Sequence, residues 1–285
     1  MPRSKPPFRA DHVGSLLRPQ RLLKAREDFA ADRISADELK QIEDDSVREV
    51  VQMQEDVGLQ SATDGEFRRA SWHMDFIYEL EGVSAAEDDL VVHFHNAEGD
   101  LDYTPAALKV DGKIDLHEPT FGKHLEFLQD TVTSATPKLT IPSPSMVHYR
   151  GGAAAIDPAV YSDTDAFWSD LTSAYADQVR LVHDIGCRYL QFDDTSLAYL
   201  NDPDQRAMMA ERGEDAEHLH ERYIRHINEA LEGRPGEMAV TTHMCRGNFR
   251  SSWVAEGGYD FVAEALFSEL MVDGFFMEWD DDRSG

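Results

Sequence analysis

The sequence predicts an α/β protein whose strands form a parallel sheet closed into a (β/α)8 TIM barrel. Short apolar or β-branched runs alternate with longer segments of helical periodicity, the pattern of strands joined by crossover helices. Polar or charged residues recur at the C-terminal ends of successive strands, at Ser15, Glu66, Ser143, Asp193, His243 with Cys245, and Glu278. That end of a parallel barrel is the rim where active sites are built. No G-x-G-x-x-G follows the first strand, so a dinucleotide-binding sheet has no support. With no internal repeat or low-complexity linker, residues 1 to 285 are read as one domain.

A Pro-rich start leads into a short strand within residues 8 to 15, and Gly14-Ser15 turns out of its end. Ser35 with Glu38 three residues on is a capping box. The helix it opens carries Leu39, Ile42, Val47, Val50, Met53 and Val57 at helical spacing and ends at Gly58. Residues 59 to 66 read as a strand finishing on Glu66. Between 90 and 118, alternation around Asn96-Ala97-Glu98-Gly99-Asp100 indicates a β-hairpin inserted into the main pattern. Lys138 to Pro144 is a strand, and Asp163 to Asp184 a helix with Phe167, Leu171, Tyr175, Val179 and Val182 on one side. Residues 187 to 192 form a strand ending in Asp193-Asp194. Residues 203 to 232 are helical with a break near Gly213, and His218, His220 and His226 there read as a solvated face. The strand through His243 and Cys245, a helix from Trp253 to Leu270 and a strand from Val272 to Trp279 complete the chain.

The composition narrows the partners. Acidic residues outnumber basic ones 55 to 27, for a net charge of -28, which argues against a nucleic-acid or anionic-membrane surface. The acid excess is spread along the chain, as on a solvated surface suited to high salt. Hydrophobic residues make up 41%, enough for a sizeable core. Two cysteines do not build a disulfide framework, and no apolar run or hydrophobic N-terminal core suggests a membrane span or signal. A cytoplasmic protein is expected.

On a strand, residues i and i+2 share a face, so His243 and Cys245 converge. On a helix they would diverge by about 200°. An imidazole nitrogen and a thiolate are donors that zinc takes, and Glu278 ends the following strand on a carboxylate. A His-Cys-Glu set with an open fourth position describes a catalytic zinc site rather than a closed structural one. The same His-Cys pair also fits a buried cysteine beside a hydrogen-bonded histidine. Cys187 reads as a small buried apolar side chain, and His12 and His148 as structural or exposed rather than facing the barrel mouth.

Taken together, His12-Val13-Gly14-Ser15, Asp64-Gly65-Glu66-Phe67-Arg68-Arg69, Leu190-Gln191-Phe192-Asp193-Asp194, Thr242-His243-Met244-Cys245 and Phe276-Met277-Glu278 resemble the cobalamin-independent methionine synthase family, specifically its catalytic C-terminal barrel and short stand-alone relatives. The resemblance runs from about residue 8 to the last residue. It implies a methyltransferase in which Zn2+ activates a thiol, most often homocysteine, to take a methyl group from a reduced folate. By position, His243, Cys245 and Glu278 resemble the zinc ligands, while Ser15, Glu66 and Asp193 resemble the residues that hold the amino acid, with Glu66 and Asp193 in the catalytic centre. Arg68, Arg69, Trp72 and Asp194 are candidates for the methyl donor. Alternatives are alkyl transfer to another thiol, a corrinoid donor as in coenzyme M chemistry, or a non-catalytic metal-binding remnant. The family has a further cysteine ligand on a later strand, whereas no cysteine follows Cys245 before Gly285. The expectation is therefore a truncated barrel lacking its last strand or strands. The N-terminal barrel of the long enzymes is also absent from the match.

Overall fold

The computed structural model describes residues 4–86, 92–94, 101–103, 107–248, 252–281 and 283–284. Two helices open it. Helix α1 (Gln20–Ala30) packs on α2 (Ala36–Asp56), whose capping box forms as expected, with Ser35 and Glu38 each accepting from the other's backbone N–H. Strand β1 is short (Ser61–Ala62) and is followed by a tight turn and by α3 (Met74–Ile77). The hairpin region comes next, wider than the sequence indicated. It comprises β2 (Glu81–Ala86), β3 (Val92–Phe94), β4 (Leu101–Tyr103) and β5 (Ala107–Asp115), with β2 antiparallel to β5 and β3 antiparallel to β4. The expected turn at 96–100 lies outside the described residues. A bulge sits beside Gly82, where φ is +76° and any Cβ would strike Lys113 O at 2.4 Å.

Helix α4 (Gly122–Thr131) leads to β6 (Thr136–Pro137) and β7 (Leu139–Pro142). The approach to β6 is held by Glu55, whose carboxylate takes the N–H groups of Thr133, Ser134 and Ala135 at 2.7–2.9 Å. Burial would raise its pKa, but these bonds bring it down to about 2. Then come α5 (Ser145–Gly151), α6 (Thr164–Asp184, capped by Asp163), β8 (Tyr189–Asp193), α7 (Ser196–Tyr199), α8 (Pro203–Glu211), α9 (Leu219–Ala230), β9 (Ala239–Met244), α10 (Ala263–Glu269) and β10 (Gly274–Met277).

Strands β7, β8, β9 and β10 form one parallel sheet in sequence order, joined by helices. Lys138, the single residue between β6 and β7, donates its N–H to Ala62 O, and β6 pairs in parallel with β1. Sequential order is the progression of a (β/α) barrel, whereas a doubly wound sheet reverses at a switch point. Among the described residues the strands do not close into a barrel. β10 forms the sheet edge there, half-buried along its length, with Phe267 and Met271 exposed nearby.

The sheet has two dissimilar faces. On the helix side, Leu139, Ile141, Leu190, Phe192, Val240 and Met244 join the main core. A smaller core of Leu22, Val47, Val50, Phe67 and Leu128 lies under α1, α2 and α4. The other face is polar and carries residues of alternate parity, among them Lys138, Tyr189 and Gln191. Onto it folds the segment 8–15, expected as a strand but found without strand pairing. Its carbonyls are taken by side chains instead: His12 O by Lys138 Nζ (2.6 Å), Val13 O by Gln191 Nε2 (2.6 Å) and Gly14 O by Thr63 Oγ1 (2.6 Å). The Asp11 carboxylate accepts from Ser61 Oγ (2.7 Å), Tyr189 Oη (2.6 Å) and Lys138 Nζ (3.4 Å).

Other departures have equally local causes. The helix expected from Trp253 is only α10, because Gly257-Gly258 interrupts it and Val254 and Ala255 spend their N–H groups on Arg246 O. The histidines of α9 do not share a solvated face. His218 is exposed, but His220 and His226 are buried and His226 stacks on Trp168 with ring centroids 4.2 Å apart. Cys187 is buried as expected. No helix among the described residues is long and apolar enough to cross a membrane.

Two outcomes follow from this core and surface. Lys138→Met leaves the Asp11 carboxylate buried without its cation and is expected to cost about 3–5 kcal/mol in urea unfolding, the scale for breaking a buried pair from one side. Raising KCl from 0.1 to about 2 M is expected to raise the melting temperature, since salt screens the mutual repulsion behind a net charge of -28.

Candidate functional site

Extended backbone delivers the site residues. Asp193 ends β8, His243 lies opposite it on β9, and Met277 pairs with Met244, so the register carried on by one residue sets Glu278, just past β10, beside Cys245, just past β9. His243 Nδ1 donates to Asp193 Oδ1 (3.0 Å), which also accepts from Gln191 Nε2 (2.7 Å). Asn248 Nδ2 reaches both Cys245 Sγ (3.3 Å) and Glu278 Oε2 (3.0 Å). Glu278 Oε2 takes a second donor, Arg246 N–H (3.1 Å), and Oε1 pairs with Arg283. One amide thus ties the thiol to the carboxylate, while Asp193 fixes the imidazole.

The electrostatics of the pair are set by this proximity. Burial alone would lower the His243 pKa, but the hydrogen bonds and charges of Asp193 and Cys245 reverse this and push it up to about 10. Burial would likewise raise Cys245, yet His243 and the N–H groups of Asn248 and Gly247 hold the thiol below its ordinary value. The two shifts run in opposite directions because each group favours the charged form of the other. Cys187, buried among apolar groups, is pushed up to about 12.

Glu66 approaches from the turn after β1. It is left-handed (φ 59°), held by Asp64 Oδ1 accepting its N–H (2.9 Å), and accepts from Thr140 Oγ1 (2.9 Å). Its pKa is raised, first by burial and then by the nearby Asp193 and Asp64 carboxylates, against the opposing Arg69 and Thr140. Gly14 packs on this pair. At φ +121° its Cβ would lie 2.6 Å from Thr140 Cγ2 and 3.4 Å from Glu66 Oε1, so only glycine lets the segment come this close. Ser15, next along, is exposed.

The structure therefore brings Glu66, Asp193, His243, Cys245 and Glu278 to neighbouring positions, with Ser15 at the border. Of the candidates for a second ligand, Arg69 packs against Glu66, while Arg68 and Asp194 are engaged elsewhere. Arg68 turns the other way, to Asp44 (2.6 Å), Glu43 (3.5 Å) and the face of Phe127 (4.6 Å). Asp194 is fully buried and takes Ser143 Oγ and Ser145 Oγ (both 2.5 Å), Ser196 Oγ (2.7 Å) and Leu197 N–H (2.9 Å), which makes it an internal anchor for α7. Arg69 is buried between Thr140 O (2.8 Å), Glu66 (3.6 Å) and the Phe121 ring (4.1 Å). Trp72 is half-buried against His73. Thr140, Asn248 and Arg283 were not singled out from the sequence. Thr140 was the most accessible of them, since it shares strand parity with Lys138.

The donor set of His243, Cys245 and Glu278, one nitrogen, one sulfur and one oxygen, suits zinc, and the lowered thiol pKa favours the ligating form. Asp193 on Nδ1 supplies the outer hydrogen bond that metal-bound histidines characteristically make. Among the described residues the group whose three ligand atoms already lie within 4.8 Å of one another is a different one, the exposed Glu81, Asp115 and His117 on the hairpin.

No family model matches the chain. It is 43% identical over 283 residues to the uncharacterized protein YxjH of Bacillus subtilis (strain 168), spanning 99% of this chain and 73% of that protein. Its identity to YxjG of the same organism is 42% over 285 residues, again 73% of that protein. A solved Listeria monocytogenes protein, named as a candidate vitamin-B12-independent methionine synthase, is 39% identical with a TM-score of 0.78 over 99% of this chain and 76% of that one. A B12-independent methionine synthase from Shewanella sp. W3-18-1, solved with selenomethionine, is 18% identical with a TM-score of 0.53 over 77% of this chain and 56% of that one, a likeness of fold. These likenesses define an α/β protein of the methyltransferase class. The chain belongs to the cobalamin-independent methionine synthase family.

The two thiols should separate in a labelling experiment. At pH 7, iodoacetamide is expected to modify Cys245 at least about tenfold faster than Cys187 by peptide mass spectrometry, because the thiolate is the nucleophile. Equal rates would show that His243 does not activate Cys245.

Proposed function

We propose that the chain is a zinc-dependent methyltransferase that moves a methyl group from a methyltetrahydrofolate-type donor to a thiol, with homocysteine the acceptor and methionine the product. The observation that carries this reading is the shared Asn248 amide, which holds Cys245 Sγ and Glu278 Oε2 together beside a histidine locked by Asp193. His243, Cys245 and Glu278 would hold the ion. When bound, it lowers the pKa of an acceptor thiol so that the nucleophilic thiolate exists at neutral pH.

The remaining work falls to the chain itself. Asp193 keeps the imidazole in one orientation through Nδ1, leaving the other ring nitrogen free of that bond. Glu66 and Asp193, both buried, with the Asp193 charge raising the Glu66 pKa, form a carboxylate seat suited to an α-ammonium. The Gly14-Ser15 backbone borders this seat and suits the α-carboxylate. The buried carboxylates thereby orient the amino acid and point its thiol toward the ligand set. On the donor side Trp72 is retained, while Arg68 and Asp194 are committed elsewhere. We read the parallel strands as one (β/α) barrel domain in a cytoplasmic enzyme.

Elemental analysis is expected to find about one zinc per wild-type chain and none in Cys245→Ala, with homocysteine methylation lost in the variant. Glu66→Gln is expected to keep zinc but raise KM for homocysteine by about tenfold or more, the scale of one charge-assisted bond. Turnover retained by Cys245→Ala would overturn the reading. Methylation of other thiols, or from a corrinoid donor, would redirect it.

A further inference from the structure

We propose that Arg283 is a built-in competitor for the metal at Glu278, a charged latch that sets how tightly the site takes a divalent cation. The inference rests on the zinc reading above and concerns how this chain regulates that site.

The Glu278 carboxylate has its two oxygens divided between different partners. Oε2 accepts from Arg246 N–H (3.1 Å) and Asn248 Nδ2 (3.0 Å), both of which can stay in place while the other oxygen changes partner. Oε1 faces the Arg283 guanidinium. A cation arriving at Oε1 meets a positive charge that cannot be removed by deprotonation, so binding there is an exchange of one cation for another.

The guanidinium is aimed rather than left to chance. Asp281 Oδ1 accepts from Ser284 N–H (2.8 Å) and Ser284 Oγ (2.6 Å), closing the turn that carries Arg283. Arg283 O accepts from Gly257 N–H (2.8 Å), and the fully buried Arg246 reaches Ser284 O (3.3 Å). Arg246 also follows Cys245 directly and donates its own N–H to Glu278, so one residue fixes both the ligand and the turn that opposes it.

Arg283 also has somewhere to go. Asp281 Oδ2 lies 3.1 Å from it, and the Trp253 ring lies under it at 4.6 Å. Released from Glu278, it keeps one carboxylate and one aromatic face. The Arg283–Glu278 pair is 18% and 20% exposed, shielded enough from solvent for its attraction to count against the metal and open enough for salt to reach it.

The test is zinc affinity of the 285-residue chain by competition with a chromophoric chelator, comparing wild type with Arg283→Gln and Arg283→Lys. Cys245→Ala serves as the site control, and thermal melts verify folding. Arg283→Gln is expected to bind zinc about five- to tenfold more tightly than wild type, with Arg283→Lys between them. The difference is expected to shrink as KCl rises to about 1 M. Zinc is also expected to change tryptophan emission in wild type, by an amount that Trp253→Phe removes and Arg283→Gln reduces. Equal or weaker binding by Arg283→Gln, with binding still lost in Cys245→Ala, would overturn the latch and leave the zinc site standing. Absence of zinc from both proteins would overturn the latch and the zinc reading together.

Discussion

The buried carboxylate of Asp11 is the constraint on which the rest of the structure leans. It is held by Ser61 of β1, Lys138 between β6 and β7, and Tyr189 of β8, so one acceptor ties β1, β8 and the β6–β7 junction to the N-terminal segment. Lys138 and Asp11 side chains are wholly removed from solvent. Such a pair is expensive to bury and is tolerated only when further hydrogen bonds satisfy it, as they do here. Lys138 also lies 4.3 Å from the Phe276 ring centroid, which extends the same contact to β10. The polar face of the sheet is thus fixed at one end before any ligand is considered.

What that fixing provides appears at the other end. Lys138 and Thr140, Tyr189 and Asp193, Thr241 and His243, and Phe276 and Glu278 share strand parity, so anchoring the first of each pair aims the second. Burial then makes the rim chemically uneven. Glu66, raised by burial and by the nearby Asp193 charge, meets Arg69 at 3.6 Å, whereas His243 is held between Asp193 and Cys245. A buried carboxylate pair beside a hydrogen-bonded histidine and thiol is the physical basis on which an amino acid bearing a thiol is proposed as the substrate.

Much of this was legible from residue order. Parity alone put His243 and Cys245 on one face, and the Ser35–Glu38 capping box started α2 where expected. Sequence order also anticipated parallel strands with helical crossovers. The misreadings share a cause. Arg68 and Asp194 follow rim motifs and carry the right chemistry, but Arg68 is claimed by Asp44 and Asp194 by Ser143 and Ser145, partners distant in sequence, as well as by the nearby Ser196. Segment 8–15 reads as a strand locally, yet side chains from elsewhere take its carbonyls.

The sequence by itself therefore determined the periodicities, the Ser35 cap and the shared face of His243 and Cys245, because these depend on spacings within a few residues, and its motifs carried the family resemblance. Only the tertiary structure decided that Asn248 bridges the thiol to Glu278, that Arg283 pairs with the same carboxylate, and that Gly14 must lack a side chain. Those facts arise from contacts across the sheet and between separate loops. Such contacts are fixed by the register of neighbouring strands and by the low dielectric of the interior, and neither is written in any single stretch of chain.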